Sequence, residues 1–190
     1  MNTSNLYYNK YRKYKIKYLD ISLRKASGHT KDQVFYQLGG KQFILKSDAI
    51  KNNEEIDDKY TGYYDNIEPD IEWDGVPSST KELFLLCYDP NAVKTTWIHW
   101  IVSGIDPTTN KLVSGKYVTG LNSSGHNHYD GPKPPPGTGI HHYHFKLFAL
   151  NKELTSVYDP NKEYTYDEIM NFLNNKIVID ESEIVGIYSK

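Results

Sequence analysis

A single cysteine, Cys87, stands in the 190 residues, which excludes an internal disulfide and with it the disulfide-stapled scaffolds of small secreted proteins. Its place in the apolar run FLLCY reads as a buried small hydrophobe, not a nucleophile. No Gly-x-Ser-x-Gly elbow, Walker loop or dinucleotide fingerprint occurs, and Gly137 and Gly139 lack the strand-turn-helix setting such motifs need. Also missing is any apolar run near the roughly 20 residues that cross a bilayer, and the first residues hold no apolar stretch of the signal-peptide kind. These absences lead to the expectation of a soluble, cytoplasmic protein without a transmembrane segment, a cofactor or catalysis.

What is present suffices for one sizeable core, since 38% of the residues are hydrophobic. The net charge of −2 conceals an asymmetry: residues 1–25 hold seven Lys or Arg against one acid, Asp20, so they carry +6 and residues 26–190 carry −8. Tyr7, Tyr11, Tyr14 and Tyr18 are spaced 4, 3 and 4 apart, which places four phenols on one stripe of a basic amphipathic helix. A helical extension over 1–25 and a domain over 26–190 are therefore expected. Packing against the domain or another chain, electrostatic contact with a membrane surface or nucleic acid, and a packaging or targeting leader are the uses open to the extension. Packing is favoured, because tyrosine offers large area with a polar tip yet anchors poorly in a bilayer. No nucleic-acid partner is expected, and peripheral membrane contact stays open.

From Ala26 to Ile67 the pattern is loops with short strands around Val34–Tyr36 and Phe43–Leu45. Thr165 and Glu168 form a capping box ahead of Ile169, Met170, Phe172 and Leu173, which predicts a helix from about 166 to 175.

The chemistry concentrates in two segments. In YDGPKPPPGTGIHHYHFKLFAL, from Tyr129 to Leu150, prolines and glycines build a stiff loop against whose backbone a small anion can sit. The strand that follows sends His141, Tyr143, Phe145, Leu147 and Ala149 to one face, and Ile140, His142, His144, Lys146 and Phe148 to the other. The first row is the core-facing one, with His141 and Tyr143 opening onto a cavity. In ELFLLCYDPNAVKTTWIHWIVSGI, from Glu82 to Ile105, an apolar strand stops at Asp89-Pro90, and Trp97, His99 and Ile101 then alternate with Ile98, Trp100 and Val102. Imidazoles, a phenol and loop N–H groups are suitable donors for a phosphate monoester. Asp89 suits an indirect role: by accepting from His99 or His141 it would orient the ring and favour its protonated form, so anion binding is expected to weaken as pH rises.

The pairs His126-x-His128 and His142-x-His144 raise a metal alternative. Neither pair is tied by sequence to a carboxylate or a third histidine, and no metal site is expected.

A strand ending in Asp-Pro, then Trp-x-His-Trp, then Tyr-x-Gly-Pro-x-Pro-Pro-x-Gly before His-x-Tyr resembles the phosphatidylethanolamine-binding protein family, in particular its bacterial-type members. The resemblance runs from about Asn66 to Tyr188. It implies a mainly β fold, with a large antiparallel sheet packed on a smaller one, a few peripheral helices, and a small anion pocket that takes phospho-headgroups. Asp89, His99, Gly131, Pro135, His141 and Tyr143 fall on the family's pocket positions, with Trp97 beside them as wall. A cis peptide near the pocket, before Pro90 or Pro135, is also implied. Two positions depart from the family's pattern: Asn91-Ala92-Val93 replaces Asp-x-Pro after Asp89-Pro90, and His142 stands where arginine is usual. The run YNKYRKYKIKYLDISLRK also resembles leaders on proteins of giant DNA viruses that infect amoebae, which implies action in an infected host or a virion.

The expected function is a module that binds phosphorylated or carboxylated small molecules or phospholipid headgroups and regulates a protein partner through the pocket's rim. The rivals are a scaffold or a kinase or protease inhibitor with a vestigial pocket, and a small metalloprotein or hydrolase.

Overall fold

The computed structural model describes residues 42–154, 156–173 and 177–190. The extension over 1–25 and the strand expected at Val34–Tyr36 lie outside the described residues. Strand β3 (Glu82–Asp89) is buried along its whole length, because both of its faces are covered. Leu83, Leu85 and Cys87 join one core with Trp73, Tyr143 and Phe145, whereas Phe84, Leu86 and Tyr88 join a second with Leu154, Ile169 and Leu173. A strand covered on both faces reads as a continuous apolar run, which explains the absence of polar alternation in ELFLLCY.

Around β3 the antiparallel sheet runs in the order β5-β4-β3-β6-β7, with β4 at Trp97–Ile105, β5 at Val118–Gly120, β6 at His141–Leu150 and β7 at Val178–Tyr188. A small sheet of β1 (Ile44–Lys46) and β2 (Glu72–Asp74) packs on one face. Leu45 and Trp73 enter the first core, and the Leu45 N–H donates to Ser182 Oγ of β7 at 2.8 Å. The result is the expected large sheet on a smaller one. Helix α1 (Tyr166–Phe172) lies on the second core through Ile169 and is started by the expected capping box. It ends at Phe172, shorter than the 166–175 span expected, with Leu173 as C-cap. Among the described residues no helix is long and apolar enough to cross a membrane.

Strand β6 sorts as expected on its inner face, where His141, Tyr143, Phe145, Leu147 and Ala149 are all buried. Its outer face changes character along its length: His142, His144 and Lys146 are half-buried, while Phe148 enters the second core. Strand β4 breaks strict alternation. Tyr88 pairs with Ile98 but Cys87 with Trp100, so His99 is the extra residue of a bulge. Trp100 and Val102 therefore belong to the first core, and Ile98 and Ile101 to the second.

Candidate functional site

Antiparallel pairing brings the end of β3 at Asp89 beside the start of β4 at Trp97, and the start of β6 lies on the other side of β3. A cavity of about 670 Å³ opens at this edge. Asp89, Trp97, His99, Gly131, Pro135, His141 and Tyr143 all line it, so one cavity gathers every pocket residue proposed from the sequence. The bulge matters here, because it lets both His99 and Trp100 serve the inner side of the sheet. The His99 ring meets the Tyr143 ring edge-on, with centroids 5.1 Å apart.

His141 and Asp89 form the buried base. Nδ1 of His141 donates to Asp89 Oδ2 at 2.6 Å, and Asp89 Oδ1 accepts from the Asn91 N–H at 2.7 Å. Both carboxylate oxygens are thus engaged by the protein, which agrees with an orienting role. Nε2 of His141 lies 2.9 Å from Thr138 Oγ1, whose hydroxyl donates to the Pro135 carbonyl at 2.7 Å. Thr138 Oγ1 thus sits between the Pro135 carbonyl and the second ring nitrogen of His141. The Thr138–His141–Asp89 series has the connectivity of a hydrolase triad, but Thr138 does not line the cavity.

Of the two rings between which the expectation for Asp89 was open, His141 takes the carboxylate and His99 bonds elsewhere. Its Nδ1 donates to the Asp130 carbonyl at 2.7 Å. Burial pulls its pKa below the usual imidazole value, outweighing the Asp130 hydrogen bond and the Asp89 charge. The ring is neutral near pH 7, with hydrogen on Nδ1 and an acceptor lone pair on Nε2. Burial, reinforced by the Asp89 charge, pushes the Tyr143 phenol up, so it keeps its hydrogen. Burial likewise raises the Cys87 thiol, in keeping with its expected inertness.

The Pro/Gly loop is pinned from outside. The Gly131 N–H donates to Asn66 Oδ1 at 2.7 Å, Asn66 Nδ2 donates to the Tyr129 carbonyl, and the Tyr63 hydroxyl donates to the Pro134 carbonyl at 2.6 Å. The Gly131 N–H is therefore not a donor for a ligand, contrary to the general expectation for this loop. Gly131 instead permits close approach: a Cβ there would collide with the Tyr60 carbonyl oxygen. No cis peptide occurs among the described residues, so the one expected before Pro90 or Pro135 is corrected. The turn after Asp89 is closed by the Asn91 N–H on the aspartate side chain.

Asn91 does not line the cavity. Its Oδ1 accepts from the His142 backbone N–H and Nδ1, at 2.9 and 3.0 Å, so the two departures from the family's pattern bond to each other outside the pocket. His144 also points away, donating to Glu183 at 3.0 Å and stacking on Tyr88. Sequence reasoning missed Thr138, Asn66, Gly62, Asp130, Lys94 and Lys133, of which all but Thr138 line the cavity. Proximity to the Pro/Gly loop was a usable signal for Asp130, Lys133 and Thr138. Nothing local marked Gly62 or Asn66.

Two packed antiparallel sheets with a histidine-lined cavity at the strand ends define a small β-fold module with a recessed polar site. Over residues 46–189 the sequence matches the phosphatidylethanolamine-binding protein family, and the chain belongs to that family. It is 33% identical over 156 residues to a UPF0098 protein of Methanothermobacter thermautotrophicus, covering 77% of this chain and 98% of the relative. A UPF0098 protein of Aquifex aeolicus is 35% identical over 164 residues, covering 82% and 93%. Among solved structures, Escherichia coli YbcL, titled a new member of the mammalian PEBP family, superposes with a TM-score of 0.70 at 28% identity, covering 79% of this chain and 99% of its own. Chlamydia trachomatis CT736, a PEBP homologue by its title, gives a TM-score of 0.66 at 29% identity, covering 78% and 97%.

Proposed function

We propose that this chain is a binding module for small phosphorylated or carboxylated molecules, phospho-headgroups foremost, and that occupancy of the cavity modulates a protein partner at its rim. The observation that carries the reading is the buried His141–Asp89 pair beneath the Gly131–Pro135 loop, with His99 and Tyr143 in the same cavity. Tyr143 contributes a hydroxyl donor, and Lys94 and Lys133 bring positive charge to the lining. His99 contributes the opposite capacity, since its Nε2 accepts. A ligand that carries anionic oxygens together with an O–H or N–H group, such as phosphorylethanolamine or a monoprotonated phosphate, answers both demands.

The reading is of binding without catalysis, and Thr138, whose hydroxyl contacts His141, does not line the cavity. Val93 and Trp97, which line the cavity, are large exposed hydrophobic side chains, the kind of surface a protein partner covers.

The test is an NMR titration of the imidazole signals with phosphorylethanolamine in metal-free buffer near pH 6.5, with inorganic phosphate as comparison. Saturable shifts at His99 and His141, with His142 and His144 unmoved, are expected. Stationary His99 and His141 signals up to tens of millimolar ligand would end the headgroup reading.

A further inference from the structure

The two His-x-His pairs look equivalent in the sequence, but the fold separates them. His142 and His144 are bonded to different partners, Asn91 and Glu183. His126 and His128 instead lie against one carboxylate, with His128 Nδ1 also 3.0 Å from the Tyr129 carbonyl. His126 Nδ1 lies 3.0 Å from Asp130 Oδ2, and His128 Nδ1 lies 3.3 Å from Asp130 Oδ1. The two rings are stacked, with centroids 4.9 Å apart and planes 17° from parallel. One ligand atom from each of the three residues falls within 4.8 Å of the others, close enough for a small cation to draw them in.

The loop that presents them is built from within. Asn122, almost fully buried, accepts through Oδ1 from the N–H groups of Ser124 and His126 and donates through Nδ2 to the His128 carbonyl at 3.0 Å. Its own N–H donates to the His126 carbonyl at 2.8 Å. Asp130 is fixed on both sides of its residue: its N–H donates to the His99 carbonyl at 3.0 Å, and its carbonyl accepts from the His99 ring. The backbone carrying the donors is therefore set before any ion arrives, whereas the His126 and His128 rings stay more than half exposed, with Nδ1 on Asp130 in the first and on the Tyr129 carbonyl in the second. Preorganisation of this kind lowers the ordering cost of binding.

We infer that His126, His128 and Asp130 form a binding site for a divalent transition-metal ion of the zinc class. Two imidazoles and one carboxylate are borderline nitrogen and oxygen donors, which suit zinc, cobalt and nickel better than magnesium or calcium, whose sites are built from oxygen. Three protein ligands leave at least one position to water or to the occupant of the adjoining cavity, whose lining already includes His126 and Asp130. The site stands whether or not the cavity binds a phospho-headgroup, because its donors lie outside the His141–Asp89 pair.

The experiment uses the full chain, prepared without a histidine tag. Zinc binding is measured by competition with a chromophoric chelator, and cobalt is added separately to read its visible absorption. Wild type is expected to take one ion per chain, with cobalt bands of the intensity of a low-coordinate site. His126→Ala/His128→Ala is expected to weaken zinc at least tenfold, and Asp130→Asn severalfold, while His142→Gln/His144→Gln leaves it unchanged. Circular dichroism confirms that each variant is folded, and because both histidines are exposed, the double variant keeps the loop's backbone bonds. Absence of saturable zinc binding, or equal loss in the His142/His144 variant, overturns the assignment.

Discussion

Asp89 and His141, 52 positions apart in the chain, meet side chain to side chain at 2.6 Å with both groups almost sealed from solvent. One residue ends the central strand and the other begins its neighbour, so the same contact fixes the edge of the sheet and the floor of the cavity. A buried hydrogen bond of this type is valuable chiefly because either partner, left alone, would be an unsatisfied buried group.

Asp89→Asn retains the shape but removes the charge-assisted part of that bond. The expected cost is about 1.5–3 kcal/mol of unfolding free energy, read from urea melts. Phosphorylethanolamine affinity is expected to fall about tenfold, equivalent to about 1.4 kcal/mol. An unchanged urea midpoint together with unchanged affinity would remove the pair from both roles.

Gly131→Ala tests close packing behind the loop. The added methyl would meet the Tyr60 carbonyl oxygen and the Thr61 Cα, which are backbone atoms and cannot swing away. Overpacking of this kind costs about 1–3 kcal/mol, and a displaced loop would weaken ligand binding as well. Gly139→Ala is the contrast: nothing lies near its Cβ, and the penalty comes from its φ of +87° alone. Stability loss with retained affinity is expected there, and equal affinity loss in both variants would contradict the distinction.

The sequence made the fold legible where local pattern and tertiary setting agree. FLLCY had to be covered on both sides, and the inner row of β6 followed from alternation. Alternation failed in β4, because a bulge at His99 inserts one residue without any glycine or proline to announce it. The cavity residues were legible through their motif spacing, but their protonation was not: His99 takes a backbone carbonyl from Asp130, 31 residues away, and only the fold decides that. The carboxylate that joins His126 to His128 is two residues beyond His128 in the chain. It went unassigned because spacing alone does not show that the loop curls around Asn122.

Asp70 supplies the acid-stability prediction. Partial burial would raise its pKa, but the N–H groups of Asp48 and Ala49, at 2.7 and 2.9 Å, and the Ser47 hydroxyl outweigh it and hold the carboxyl below its ordinary 3.8. The folded chain therefore binds this proton more weakly than the unfolded chain. The contribution to stability is complete above about pH 3.8 and is lost as pH falls through the lower folded value. Asp70→Asn should flatten that part of the profile, with the difference between wild type and variant in thermal midpoint shrinking from neutral pH towards pH 3. A constant difference across that range would show that the charge of Asp70 is not what anchors the segment between β1 and β2.

His99 offers the sharpest readout of the cavity's chemistry, because its tautomer follows from one hydrogen bond and one burial effect. The Asp130 carbonyl is an acceptor only, so Nδ1 must carry hydrogen. Burial, the largest influence, keeps the second proton off Nε2 until the pH falls below the ordinary 6.5. Nitrogen-15 imidazole spectra at pH 7.5 are thus expected to show a protonated Nδ1 and a bare Nε2 for His99. On addition of phosphorylethanolamine, the bare nitrogen is the one that should shift, because it alone accepts a hydrogen bond from the ligand. Hydrogen on both nitrogens of His99 at pH 7.5 would overturn the neutral ring and remove the acceptor that His99 gives the cavity, and with it the part of the selectivity for a donor-bearing ligand that rests on that ring.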